Sequence, residues 1–124
     1  MATLPKPPHE NIRAWQACYR LAIEVYKVSG SWPPHERYGL TAQVRSAAYS
    51  AGANIAEGVA RRGSRELHRF LCVALGSLAE IGFALRLARD IGILTRADWE
   101  RLEAAREEAG RLTGALAKAV RKRL

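Results

Sequence analysis

Residues 67–88 read LHRFLCVALGSLAEIGFALRLA. Leu67, Leu71, Ala74, Leu78, Ile81, Leu85 and Ala88 recur at spacings of four and three without a slip. That spacing puts them on one seam of a helix. The other faces carry Phe70, Val73, Ala79, Phe83 and Ala84, so little of the helix surface is charged. A helix this apolar needs cover on nearly every side. It requires sister helices on one flank and predicts a further subunit on another.

Just upstream, 40–62 read LTAQVRSAAYSAGANIAEGVARR. The segment is crowded with small residues: Ala47, Ala48, Ser50, Ala51, Gly52, Ala53, Ala56 and Gly58. Small residues let helix backbones approach closely. Gly52 lowers helix propensity by roughly 1 kcal/mol, so a packing reason or a kink is expected there. Gly63 is expected to cap the end of this helix and Ser64 to N-cap the next. So short a connection folds the two helices back on each other as an antiparallel hairpin. At roughly 22 and 28 residues they would be about 33 and 42 Å long.

Two further helices flank this pair. Asn11 is expected to N-cap the first, with Ile12, Trp15, Tyr19, Ala22 and Tyr26 as its buried stripe and Cys18 and Val25 beside it. Arg13, Arg20, Glu24 and Lys27 take the opposite face. Gly30 ends it, and Trp32-Pro33-Pro34 forbids continuation. Thr95 is expected to N-cap the last helix with Asp98 three residues on. Its stripe reads Trp99, Leu102, Ala105, Ala109, Leu112, Leu116 and Ala119. Residues 1–9 hold three prolines and no periodicity, which suggests an extended arm. Nothing alternates with the period of a strand. The pattern predicts an all-α chain: an arm over 1–9, then a single up-down-up-down four-helix bundle over 10–124, assembled as a cyclic homo-oligomer.

The chain has 124 residues, a net charge of +8 and a pI near 10.2. That balance favours polyanionic partners, nucleic acid before anionic membrane. The uncharged run 46–56 is too short to span a bilayer, and the first residues lack the apolar core of a signal peptide. Cys18 and Cys72 sit among apolar residues with no metal spacing, as buried free thiols of a cytoplasmic protein would. Bundles often hold di-iron sites, but these need Glu-x-x-His pairs, and the sequence has none. Neither a phosphate loop nor a nucleophile–base grouping occurs. The residues thus point away from an enzyme, and imply no cofactor and no metal.

Two constellations remain. Gln43, Ser50, Asn54 and Glu57 share a face of the second helix, and Ser77 and Glu80 mark the side of the third. They are expected to form a largely buried hydrogen-bonded network that fixes register or oligomer state. The second constellation is charge. The start of the first helix, the 61–64 connection and the end of the last helix share one pole in such a bundle. Lys6, Arg13, Arg61, Arg62, Arg65, Arg69, Lys118, Arg121, Lys122 and Arg123 would stand there against Glu10, Glu57 and Glu66. The rest of the chain is nearly balanced, with ten cations and nine carboxylates. Arg61, Arg62, Arg65, Arg69, Lys118, Arg121, Lys122 and Arg123 are the candidate contacts to RNA or DNA phosphates. Helix dipoles account for cations at the ends of the second and fourth helices. They do not account for Arg65 and Arg69 at the start of the third.

The blocks Asn54-Ile55-Ala56-Glu57-Gly58 and Leu75-Gly76-Ser77-Leu78-Ala79-Glu80 resemble the four-helix-bundle family encoded in intervening sequences of bacterial 23S rRNA genes. The same fold family includes the accessory variability determinant of diversity-generating retroelements. The likeness runs from Trp15 into the fourth helix. It departs at Gly52, where the family commonly has proline, and at Ser46, where it has a second arginine. The resemblance implies a cytoplasmic homopentamer and, from the retroelement members, partners that include nucleic acid and a reverse transcriptase. A structural or protein-interaction role without intrinsic nucleic-acid binding is the alternative.

Overall fold

The computed structural model describes residues 7–124. These are all-α, with four long helices, α1 (Arg13–Ser29), α2 (Leu40–Ala60), α3 (Ser64–Asp90) and α4 (Arg96–Arg121). Residues 1–6 of the expected arm, Lys6 included, lie outside the described residues. The rest of that arm is not extended: Pro8–Asn11 forms a 3-10 turn packed on α1 and α2. A second 3-10 turn, Pro34–Glu36, leads into α2.

Among the described residues, α1 touches α2 and α4, and α3 touches α2 and α4. That is the packing of a four-helix bundle. The α3 seam is buried as its spacing demands, with Leu71, Ala74, Leu78, Ile81, Leu85 and Ala88 inside and Leu67 packed at the margin. Val44, Ala47, Ala48, Ala51 and Ile55 bring α2 against it. The α2–α3 approach is close at Gly58. A Cβ there would lie 2.8 Å from Phe70 Cβ and 3.1 Å from Leu67 Cδ1, so the glycine of the Asn54–Gly58 block is a contact surface for α3. By composition and length α3 could also cross a membrane, but its apolar seam is the wall of this core.

Four local expectations need correcting. The buried face of α1 is Ala14, Ala17, Cys18, Leu21 and Val25, whereas Tyr19 and Tyr26 are exposed and Trp15 half-buried. Both stripes have helical spacing. A thin, alanine-rich core has room for Ala14 and Ala17 at close approach, and none for rings carrying a hydroxyl that water would otherwise hydrate. In α4 the inner line ends on Thr113, Ala117 and Val120, leaving Ala119 outside. A seven-residue repeat drifts around a straight helix by about 20° per heptad. Ile12, not Asn11, is the residue before α1, with no side-chain cap. Finally, α2 ends at Ala60, and Arg61–Gly63 make the turn. Gly63 adopts φ +94 and Ser64 is already helical, so it caps nothing. Thr95 does cap α4, its Oγ1 accepting from Asp98 N at 3.1 Å.

At the far end from the Gly63 turn, Arg45 of α2 closes α1. Its Nε donates to Ser29 Oγ at 2.8 Å and its Nη2 to the Tyr26 carbonyl at 3.1 Å. A cation on the last carbonyls of a helix is favoured by the dipole. Arg101 of α4 reaches Glu24 of α1. Gly92, at φ +86, lets Ile93 and Leu94 N–H groups turn back onto the Ala88 carbonyl and close α3.

Candidate nucleic-acid interface

The Arg61–Gly63 turn lies where four helix ends meet. Ile12 at the start of α1, Gly58 and Arg61 at the end of α2, Ser64 and Leu67 at the start of α3, and Leu116 and Arg123 at the end of α4 line one shallow cleft. The candidate cations surround it. Arg61, Arg62, Arg65, Arg69, Lys118, Arg121, Lys122 and Arg123 are all exposed. With Arg13, nine described cations stand near this end against Glu10, Glu57 and Glu66.

The eight candidates differ in how they are held. The Arg61 guanidinium pairs with Glu57 at 2.6 Å and Arg69 pairs with Glu66 at 3.0 Å. Both also lie over the Phe70 ring, at 5.6 and 4.4 Å from its centroid. The hydrogen bond and charge of Arg69 hold the Glu66 carboxyl below its ordinary range, and Glu66 in turn raises Arg69. Arg62, Arg65, Lys118, Arg121, Lys122 and Arg123 make no ion pair among the described residues. A guanidinium already forked onto a carboxylate has fewer donors for a phosphate, so these six are the available charges.

The expected polar network is smaller than the sequence pattern suggests. Asn54 Nδ2 donates to the Ser50 carbonyl at 2.8 Å and to Ser50 Oγ at 2.9 Å. The Ser77 hydroxyl lies 2.8 Å from Ser50 Oγ and 3.2 Å from the Val73 carbonyl oxygen. This half-buried trio links α2 to α3. Gln43, Glu57 and Glu80 are exposed and outside it. Glu57 sits one turn before Arg61 and is drawn outward by it. Cys18 is buried, but Cys72 is exposed beside His68, correcting the expectation of two buried thiols.

The rotated α1 stripe leaves a feature that periodicity did not reveal. Trp15, Tyr19, Ile23, Tyr26 and Tyr49 wall an open apolar groove of about 540 Å³ between α1 and α2, floored by Ala48, Gly52 and Ala53. Trp15 and Tyr19 stack at 4.9 Å. The signal lay in the chain: Ala14, Ala17, Leu21 and Val25 form a second, equally regular stripe.

The model of the 23S rRNA-intervening sequence protein family matches residues 10–115. The chain belongs to that family. No curated protein matches it. Among solved structures, it is similar to a protein of unknown function from the S23 ribosomal protein family of Bacteroides thetaiotaomicron. The TM-score is 0.76 at 20% identity, over 85% of this chain and 98% of that one. A likeness at that identity carries the fold, and the family is one without an assigned activity, so its function has to be argued from the surface.

Proposed function

We propose that this family member is a non-enzymatic, oligomeric accessory protein that binds nucleic-acid phosphates at the Gly63 end of an antiparallel up-down-up-down bundle. The observation that carries this reading is the crowding of cations where the four helix ends meet. Six of them have no carboxylate partner among the described residues. Arg65 stands in the first turn of α3, where the helix dipole disfavours a cation; a phosphate would offset that cost. The contacts reach the backbone rather than base edges, so sequence preference is weak and salt dependence strong. Repetition of the cationic end around an oligomer would raise affinity through simultaneous contacts.

A second reading is a protein-interaction module, such as a reverse transcriptase partner, without intrinsic nucleic-acid binding. The exposed aromatic groove favours it. Fluorescence anisotropy with labelled single-stranded RNA and duplex DNA, at low and high salt, separates the two. The phosphate reading expects binding to both ligands at low salt and a steep loss as salt rises. No binding at low salt would leave the interaction module.

A further inference from the structure

Gly52 and Gly58 lie six residues apart on α2 and differ in what surrounds them. At Gly58 the chain's own α3 occupies the space a side chain would take. At Gly52 an added Cβ would meet Trp15 Nε1 at 3.8 Å and Cys18 Cβ at 3.9 Å, which is ordinary contact. Packing within the chain does not demand glycine there, although glycine weakens a helix interior by about 1 kcal/mol. What it leaves open is the floor of the aromatic groove. Tyr49, on its wall, is 70% exposed.

A matching surface stands elsewhere on the same molecule. Phe83, Leu87 and Ile91 follow one another at i, i+4 and i+8 along α3, and all are exposed, Phe83 at 72%. Side chains at that spacing form one of the ridges by which helices pack into grooves. Beside the ridge Arg86 pairs with Asp90 and Arg106 with Glu103, and the charges left over beside the two surfaces are opposite. Lys27 lines the groove and Glu80 stands one turn before Phe83. Neither makes an ion pair among the described residues.

We propose that a second copy of this chain docks head to tail, its Phe83–Leu87–Ile91 ridge seated in the groove between α1 and α2, over Gly52. The proposal rests on the oligomeric part of the reading above and names its contact. Ridge and groove belong to different helices of one chain, so the contact is heterologous. The pair then keeps one unused groove on one copy and one unused ridge on the other, and addition continues until a ring closes. The apolar surface that α3 cannot cover within its own bundle is covered this way.

The test uses Phe83→Glu, which spoils the ridge, and Tyr49→Glu, which spoils the groove. Both sites are surface positions, and circular dichroism checks that helix content is kept. Tyr19→Glu serves as a second groove variant. Light scattering should find the wild type at several times 13.7 kDa. Each variant alone should be monomeric at concentrations at least tenfold above those that assemble the wild type. An equimolar mixture of Phe83→Glu with either groove variant should form a dimer and stop there, because one intact groove and one intact ridge remain. If the wild type assembles but the groove variants assemble equally well, or the mixture stays monomeric, this contact is wrong while the oligomeric reading stands. A monomeric wild type overturns both.

Discussion

Replacing Gly58 by alanine and replacing Gly52 by alanine should move stability in opposite directions. Each change gains about 1 kcal/mol of helix propensity. At Gly58 the new methyl would sit 2.8 Å from Phe70 Cβ and 3.5 Å from Leu67 Cα. These atoms lie on or next to the α3 backbone and cannot swing aside, so the two helices must separate. Overpacking of this kind costs roughly 1–3 kcal/mol, and α2–α3 separation also loosens Ile55 and Leu71, which are fully buried. A 2.8 Å contact puts the cost in the upper part of that range, about 2–3 kcal/mol, so the net expectation is a loss of about 1–2 kcal/mol. At Gly52 the neighbours stand at 3.8 Å or more, so most of the propensity gain survives, about 0.5–1 kcal/mol. For a domain of this size that corresponds to a Tm lower by roughly 5 °C for Gly58→Ala and higher by roughly 3 °C for Gly52→Ala. The melts should be run at one protein concentration in the Phe83→Glu background, so that association does not add to the folding term. Shifts of the same sign, or a neutral Gly58→Ala, would refute the close α2–α3 approach on which the packing argument depends.

Alanine in place of Arg62 and Arg65 should weaken RNA binding more than alanine in place of Arg61 and Arg69, read by anisotropy at equal salt, since the second pair is already tied to Glu57 and Glu66. Ser50→Ala should lower stability by about 1 kcal/mol in urea melts, because it removes the hydroxyl that Asn54 and Ser77 share across α2 and α3. In the native protein a thiol reagent should label Cys72 quickly and Cys18 only on unfolding. Burial pushes the Cys18 thiol up from 9.0 to about 11. The folded state therefore holds that proton more tightly than the unfolded one, and the stability it contributes is present below pH 9 and lost as pH rises towards 11. Urea melts across that window should show a shallower decline for Cys18→Ala than for the wild type.

The α3 seam was legible because its heptad spacing runs through seven residues without a competing pattern. The first helix was harder. Trp15, Tyr19 and Tyr26 at helical spacing look like core on hydrophobicity alone, and Ala14, Ala17 and Leu21 look like filler. The close approach of neighbouring helices, a tertiary property, decides between them. Glu57 and Glu80 shared a face with Ser50 and Ser77 in sequence. Whether a carboxylate turns inward depends on the cation beside it, and Arg61 draws Glu57 out. The cationic end could be assembled from chain order, since it depends only on where helices start and stop. Which of its arginines are free depended on side-chain partners that spacing does not specify.

If the Gly63 end carries the nucleic-acid contacts, equal charge removal at the two ends of the bundle should have unequal effects. One variant replaces Arg62, Arg65 and Arg121 by alanine. The other replaces Arg37, Arg86 and Arg96, which lie away from that end. Affinity for one RNA is then measured across a salt series for both and for the wild type. Each lost phosphate contact should flatten the slope of log K against log salt by roughly 0.7–0.9. The slope should be shallower by roughly two units for the first variant and unchanged for the second. Equal slopes for the two variants would contradict that placement of the contacts, because the charge would then act only as a diffuse field.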